Sequence, residues 1–130
     1  MDFVSTRIIT DDIKRLVGFY EGLGLKATWY TEEFAELATA TCTLAIGSQR
    51  TMDLFGAGAA LSASNRSVIL EFLVHDVDEL HRKFALEHVV QVPTTQPWGN
   101  RSLLCRDPDG NLINFFTPVS PAAIRKYTRQ

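Results

Sequence analysis

The sequence is poor in the residues that usually announce a metal centre or a disulfide framework. Its 130 residues contain two cysteines and three histidines. Cys42 and Cys105 are far apart and form no C-x-x-C pair, so neither a zinc knuckle nor a redox motif is on offer. They are expected to be small buried hydrophobes. His75, His81 and His88 stand before, on and after one helical segment, at spacings of six and seven. That spacing does not converge on one ion as an H-x-x-x-H pair on one helix face does. No apolar run approaches the length of a membrane span. The N-terminal "MDFVSTRIIT" lacks a basic region followed by a long apolar stretch, so no signal peptide is expected and the location read is cytoplasmic. The Asn65-Arg66-Ser67 and Asn100-Arg101-Ser102 sequons then carry no meaning. The formal charge of −2, with Lys and Arg scattered except for Arg125, Lys126 and Arg129, leaves no electrostatic footprint for nucleic acid. The basic C-terminal residues are read as a solvated tail.

What the sequence does have is an internal repeat. "FVSTRIIT", a β-branched run, leads into "DDIKRLVGFYEGLGL", where Ile13, Leu16, Val17 and Tyr20 mark one face of a helix. From Asp12 to Asp76, a shift of 64 residues, the pattern returns: "SVILEFLV" leads into "HDVDELHRKFALEH", with Val77, Leu80, His81 and Phe84 on the face. Asp12 and Asp76 each suit a helix N-cap, so their carboxylates have a structural task. Three strand-like runs follow each helix: "LKATWYT", "FAELATA" and "TLAIGS", then "VVQVP", "RSLLCR" and "NLINFF". The expected fold is α+β, with two βαβββ modules forming a cupped mixed sheet and helices on its outer face. Module one spans about 3–48, a linker about 49–66, module two about 67–117 and a C-terminal tail 118–130. A short helix is expected at Met52 to Phe55 inside the linker.

The segments "DDIKRLVGFYEGLGL", "FLVHDVDELHRKF" and above all "PWGNRSLLCRDPDGNLINFF" resemble the vicinal oxygen chelate superfamily. That superfamily comprises glyoxalase I, extradiol dioxygenases, and the bleomycin- and fosfomycin-resistance proteins. The likeness runs from about Phe3 to Phe116. It implies a single domain of paired βαβββ modules, a cupped sheet and a homodimer. Fold alone does not give function, because the superfamily spans lyases, oxygenases, transferases and binding proteins.

Metal-dependent members of that family place His, Gln or Glu on the first strand of each module and Glu on the last strand of one or both. Carried onto this sequence, those positions fall on Ser5, Ile69, Asn114 and, in the first module, Ile46. Two of these are aliphatic, and serine hydroxyl and asparagine carbonyl are weak neutral donors. The usual metal site is therefore expected to be absent, and no cofactor is implied. Strand alternation groups Ser5 with Arg7, and Asn114 with Phe116, on the hollow side, with Glu71 beside Ile69. Arg7 and Glu71 there are either a self-satisfying salt bridge or a ligand-binding pair. Trp98, in the loop "QPWGNR", is an aromatic with little to gain as core, and Arg101 beside it could stack on a ligand or bind its acidic group.

The reading favoured is a metal-independent small-molecule-binding protein of the bleomycin-resistance type, holding an aromatic or amphipathic ligand. The candidate binding residues are Ser5, Arg7, Glu71, Trp98, Arg101, Asn114 and Phe116. The alternative is a glyoxalase- or dioxygenase-like lyase, isomerase or oxygenase, with an unconventional metal site or acid/base chemistry on Glu71. A third is a structural or regulatory module with a vestigial cup. Whether the chain is an enzyme is left open. The expected partners are a small-molecule ligand and a second copy of the chain, with no nucleic acid and no membrane.

Overall fold

A computed structural model describes residues 1–128. The chain forms two compact units. The first is Met1–Asn65 together with Pro108–Gly110; the second is Arg66–Asp107 and the residues from Asn111 onward. Each unit carries one βαβββ module. In chain order the first has β1 (Ser5–Thr10), α1 (Ile13–Gly22), β2 (Ala27–Thr31), β3 (Phe34–Ala38) and β4 (Thr43–Ser48), then a 3-10 turn at Gln49–Thr51 and the expected short helix α2 (Met52–Phe55). The second has β5 (Ile69–Leu73), α3 (Val77–Lys83), β6 (Val89–Thr95), β7 (Asn100–Arg106) and β8 (Leu112–Pro118).

Each module closes a four-stranded mixed sheet, in the orders β1-β4-β3-β2 and β5-β8-β7-β6. In both, the first strand pairs parallel with the fourth and the remaining pairs are antiparallel. Parallel neighbours need a long crossover, and the helix after the first strand supplies it.

The helix caps follow the repeated aspartates. The Asp12 carboxylate accepts from the Arg15 amide at 3.2 Å, and the Asp76 carboxylate accepts from the Asp78 and Glu79 amides at 3.1 Å each. Leu16, Val17 and Tyr20 of α1 are fully buried, each worth roughly 1.5–3 kcal/mol relative to exposure. Ala35, Leu37, Leu44 and Ile46 form the buried sheet face that receives them. In the second unit Leu70, Leu103, Cys105, Ile113 and Phe115 do the same beneath α3. Thr117 ties β8 to that helix: its hydroxyl accepts from the Val77 amide at 2.9 Å and donates to the Val74 carbonyl at 3.0 Å.

The D-P-D-G-N stretch is a buried clasp. Asp107, 1% exposed, accepts from the Asn111 amide at 3.0 Å and from Asn111 Nδ2 at 2.8 Å. Gly110 takes φ of 85°, which a side chain would strain.

The tail differs from expectation. Ser120 caps a fourth helix, α4 (Pro121–Tyr127), through a bond from the Ala123 amide at 3.1 Å, and Pro121 occupies its first turn. Arg125 and Lys126 are exposed, as expected of solvated charges; Arg129 lies outside the described residues. Among the described residues no helix is long and apolar enough to cross a membrane.

Both cysteines are free thiols, Cys105 buried and Cys42 half-buried. Burial, with a smaller effect from the nearby Asp107 charge, pushes the Cys105 thiol from 9.0 up to about 11. Between those values the unfolded chain sheds a proton that the folded chain keeps. Cys105 therefore contributes stability that is complete below about pH 9 and is lost as pH rises toward about 11. Urea denaturation of wild type and Cys105→Ala across pH 8–11 should show the wild-type advantage shrinking over that window; a pH-independent difference would contradict the assignment.

Candidate functional site

The strand register decides which residues share the sheet face turned away from the helix. In the first sheet Ser5 stands beside Thr43, Arg7 beside Ala45 and Ile9 beside Gly47. Glu36 stands beside Ala45 on the other flank, and Phe34 beside Gly47. This open face thus carries Ser5, Arg7, Ala45, Glu36 and Phe34. Ile46 pairs with Ile8 and is fully buried on the helix-facing side. The expectation that Ile46 shares a face with Ser5 is therefore corrected by one residue: the first-module counterpart of Asn114 is Ala45. The error arose because every residue from Leu44 to Ser48 is buried, so the run shows no alternation to read.

Arg7 lies over two rings. Its guanidinium carbon lies 4.8 Å from the Phe34 ring centroid and 4.9 Å from that of Phe55, which α2 brings onto this face. Gly47, beside Phe34 in register, leaves room for Thr51. A Cβ there would stand 2.9 Å from Thr51 Oγ1 and 3.6 Å from both Ile9 Cδ1 and Phe34 Cδ1.

In the second sheet Glu71 stands beside Asn114, and Asn114 beside Leu104. Asn114 Nδ2 donates to Glu71 Oε2 at 2.9 Å. A carboxylate only accepts, so this bond fixes which end of the amide faces Glu71. Asn114 Oδ1 is then left buried without a hydrogen-bond partner, as is Ser102 Oγ on the same face. Phe116 is buried at the end of this face, and its ring meets Tyr127 of α4 edge-on at 5.1 Å. Arg7 and Glu71, read as one pair, each find their contacts inside their own module.

Two other expected residues separate in role. Trp98 is 67% exposed on a tight turn in which the Gly99 amide donates to the Gln96 carbonyl at 3.0 Å. Arg101 is a correction. It pairs with Thr117 in register, on the helix-facing side. Its Nε and Nη2 donate to the two Asp78 oxygens at 2.7 and 3.0 Å, and its Nη1 donates to Thr95 Oγ1 at 3.2 Å. This bidentate bond from Arg101 holds the Asp78 carboxyl below its usual range. Arg101 anchors α3 to β7 and is not free to take a ligand acid.

The positions of the family's metal ligands are therefore Ser5, Ala45, Ile69 and Asn114. Alanine and isoleucine offer no lone pair, and Asn114 already spends one end of its amide on Glu71. These residues do not fit a divalent cation. Among the described residues no three His, Cys, Asp or Glu side chains gather as a metal-holding group.

An open depression of about 750 Å³ also lies between the start of α1 and the β2–β3 hairpin, with Trp29 and Tyr30 on one side. Three of its four carboxylates are in structural use: Asp12 caps α1, Asp11 accepts from Ser62 Oγ at 2.6 Å, and Glu33 pairs with Arg50 at 2.9 Å, while Glu32 completes the lining.

The comparisons agree with this geometry. A model of the "Glyoxalase/Bleomycin resistance protein/Dioxygenase superfamily" matches residues 2–115. The chain belongs to that superfamily. A protein of unknown function from Agrobacterium tumefaciens str. C58 is 27% identical, with a TM-score of 0.78 over 92% of this chain and 95% of its own. A glyoxalase/bleomycin resistance protein/dioxygenase family enzyme from Burkholderia phytofirmans PsJN gives a TM-score of 0.81 at 19% identity, covering 92% and 100%. A lactoylglutathione lyase from Agrobacterium tumefaciens gives 0.66 at 19%, covering 89% and 92%. The last two share the fold. No curated protein matches the sequence significantly. The α4 helix lies beyond the span that the superfamily model matches.

Sequence reading missed Glu36, Phe55 and Gly47. The available signal was Glu36 itself, the one charge in "FAELATA".

Asn114→Asp would set a second carboxylate against Glu71 at hydrogen-bond distance, where both cannot ionise freely. The variant should melt below wild type at pH 8, by about 1 kcal/mol given solvent screening at exposed Glu71, and recover near pH 4.5. Asn114→Ala should lose the same bond without that recovery. Equal losses for Asn114→Asp at both pH values would refute the close pairing.

Proposed function

We propose that this chain is a metal-independent small-molecule-binding protein of the bleomycin-resistance type. The observation that carries the reading is Asn114. Where metal-dependent relatives hold a ligating carboxylate, it offers an amide with one end fixed by Glu71 and a buried carbonyl without a partner. A buried acceptor left unmatched costs roughly 1–3 kcal/mol, which a hydrogen-bond donor on a ligand recovers. Glu71, Asn114 and Ser102 supply the polar contacts, and the Phe116–Tyr127 corner the apolar one. Such a mixture of apolar wall and few convergent polar groups suits an aromatic or amphipathic ligand. We further propose a homodimer, supported by the large apolar side chains left exposed, Phe3, Leu54, Val90 and Val92 among them. A cytoplasmic location agrees with two unpaired thiols.

Exposed Trp98 gives the assay its signal. Titration with planar aromatic antibiotics and metabolites should give saturable fluorescence changes for at least one compound, with affinity about tenfold weaker in Asn114→Ala. Silence across the panel would count against the reading. So would stoichiometric bound metal together with turnover of methylglyoxal–glutathione or catechols. Sedimentation equilibrium should return twice the chain mass of 14.5 kDa; a monomer at all concentrations would remove the dimer.

A further inference from the structure

The sheet face that carries Asn114 is closed at one end. β7 and β8 pair without a bulge, so Asn100, Ser102 and Leu104 stand on that face beside Pro118, Phe116 and Asn114. Asn100, Ser102 and Phe116 are all buried. The next row is not: Leu104 and Asn114 are half-buried, and Glu71 beside them is exposed. Helix α4 accounts for the difference. Ala123 and Tyr127, four residues apart, share one side of it. Its other residues are exposed. Ala123 sits against Gly99, where an added Cβ would come within 3.2 Å of the Ala123 Cβ. The Tyr127 ring sits on Phe116, with 5.1 Å between centroids. From Ala123 to Tyr127 a helix advances about 6 Å, close to the ~7 Å between alternate residues of a strand. α4 thus lies across the closed end, from Gly99 to Phe116.

The seat is firm at one end and weak at the other. At the start, the Gly99 carbonyl accepts from the Val119 and Ser120 amides at 2.8 and 3.1 Å, and Ser120 Oγ accepts from the Ala123 amide at 3.1 Å. Past Ala123 the side chains of Ile124, Arg125 and Lys126 are exposed, so the far end rests on Tyr127. A helix of seven residues has little stability of its own away from a surface. The closed state is also imperfect. Asn100 Oδ1 and Ser102 Oγ at the closed end, and Asn114 Oδ1 in the next row, are buried without hydrogen-bond partners. Each would gain a bond once a donor reached it, which disfavours keeping the face shut.

We propose that α4 is a lid on the binding face, pivoting at Ser120, and that its Tyr127 ring occupies the place on Phe116 which the ring of an aromatic ligand takes. Phe116 is 6% exposed with Tyr127 upon it, so a ligand ring reaches it only when Tyr127 leaves. The ligand enters from the open Glu71–Asn114 side. Its ring replaces Tyr127, and its N–H donors meet Asn114 Oδ1 and Ser102 Oγ. The fitting class is a planar aryl amide or amidine, which brings donors to a face of acceptors. Of the two rings at this corner, Phe116 is the fixed wall and Tyr127 the movable one. This deepens the small-molecule-binding reading and rests on it. Every residue named belongs to the second unit.

NMR titration of the full chain with benzamide, which carries both the ring and the donors, tests the lid. Tyr127→Ala should bind benzamide at least tenfold more tightly than wild type. Tyr127→Phe, which keeps the ring, should bind as wild type does. Benzoate, which offers acceptors in place of donors, should bind Tyr127→Ala at least tenfold more weakly than benzamide; equal binding overturns the ligand class. Backbone shifts of β7 and β8 report that each variant keeps its fold. Wild type supplies a second readout. The Ile124 amide donates to the Ser120 carbonyl at 2.9 Å inside α4, and its hydrogen exchange should speed up at least fivefold with benzamide bound. A benzamide affinity in Tyr127→Ala equal to or below that of wild type overturns the lid, undetectable binding to both included. Unchanged or slower exchange at Ile124 with benzamide bound also overturns it, and that result needs no variant to fold. If a compound of the earlier panel binds wild type while benzamide shows neither effect, the lid fails and the small-molecule-binding reading stands. Silence from the panel, and from benzamide with wild type and Tyr127→Ala, removes both.

Discussion

The parallel pairing of the first strand of each module with its fourth is the constraint from which the rest follows. It obliges the chain to cross over through a helix, and the helix buries one face of the sheet. The other face is thereby released from core packing and can carry charge. The same pairing fixes neighbours by main-chain register: Arg7 must stand beside Ala45, and Glu71 beside Asn114. A slip of one residue would exchange the two faces entirely, setting Ile8 and Ile46 where the charges now stand.

The two modules keep the same scaffold and diverge on that open face. Their caps, crossovers and strand orders repeat. Their central rows do not. In the first sheet the row reads Arg7, Ala45, Glu36, with a small buried residue in the middle and no bond between the charges. In the second it reads Glu71, Asn114, Leu104, with the middle filled by an amide that holds the charge beside it. Duplication has thus given one frame with two different polar patterns. A single ligating chemistry shared by both halves, as in the metal-dependent relatives, finds no support in either row.

How much of this could be read from sequence depended on whether the signal was local. The α1 face, the aspartate caps and α2 at Met52–Phe55 rest on residues close in the chain, and the structure repeats them; of the second helix face only Val77 is buried, and Phe84 lies just past the end of α3. Ile46 was misplaced because a strand buried on both sides loses its period. Arg101 was assigned to a ligand because its partner, Asp78, lies 23 residues away and nothing local announces the pair. The Ser120-Pro121 start of α4 was legible in principle as a cap followed by a first-turn proline, but a short basic tail drew the eye to its charge instead. The Arg7–Phe34–Phe55 contact joins three elements and required the fold itself.

The seating of α4 has a consequence for how such chains can change over generations. Gly99 has φ of 97°, and its carbonyl accepts from the Val119 and Ser120 amides at 2.8 and 3.1 Å. A Cβ at that position would meet Ser120 Oγ and come within 2.8 Å of Ser120 Cβ and 3.2 Å of Ala123 Cβ. The glycine is therefore tied to the helix by space as well as by backbone conformation. A lineage that gained a side chain at 99 would have to displace the start of α4, and with it the Tyr127 ring that covers Phe116. A lineage that lost α4 would be relieved of the steric half of that requirement. Residue 99 and the C-terminal helix should accordingly be inherited as a unit, although some twenty residues of chain and a whole hairpin lie between them.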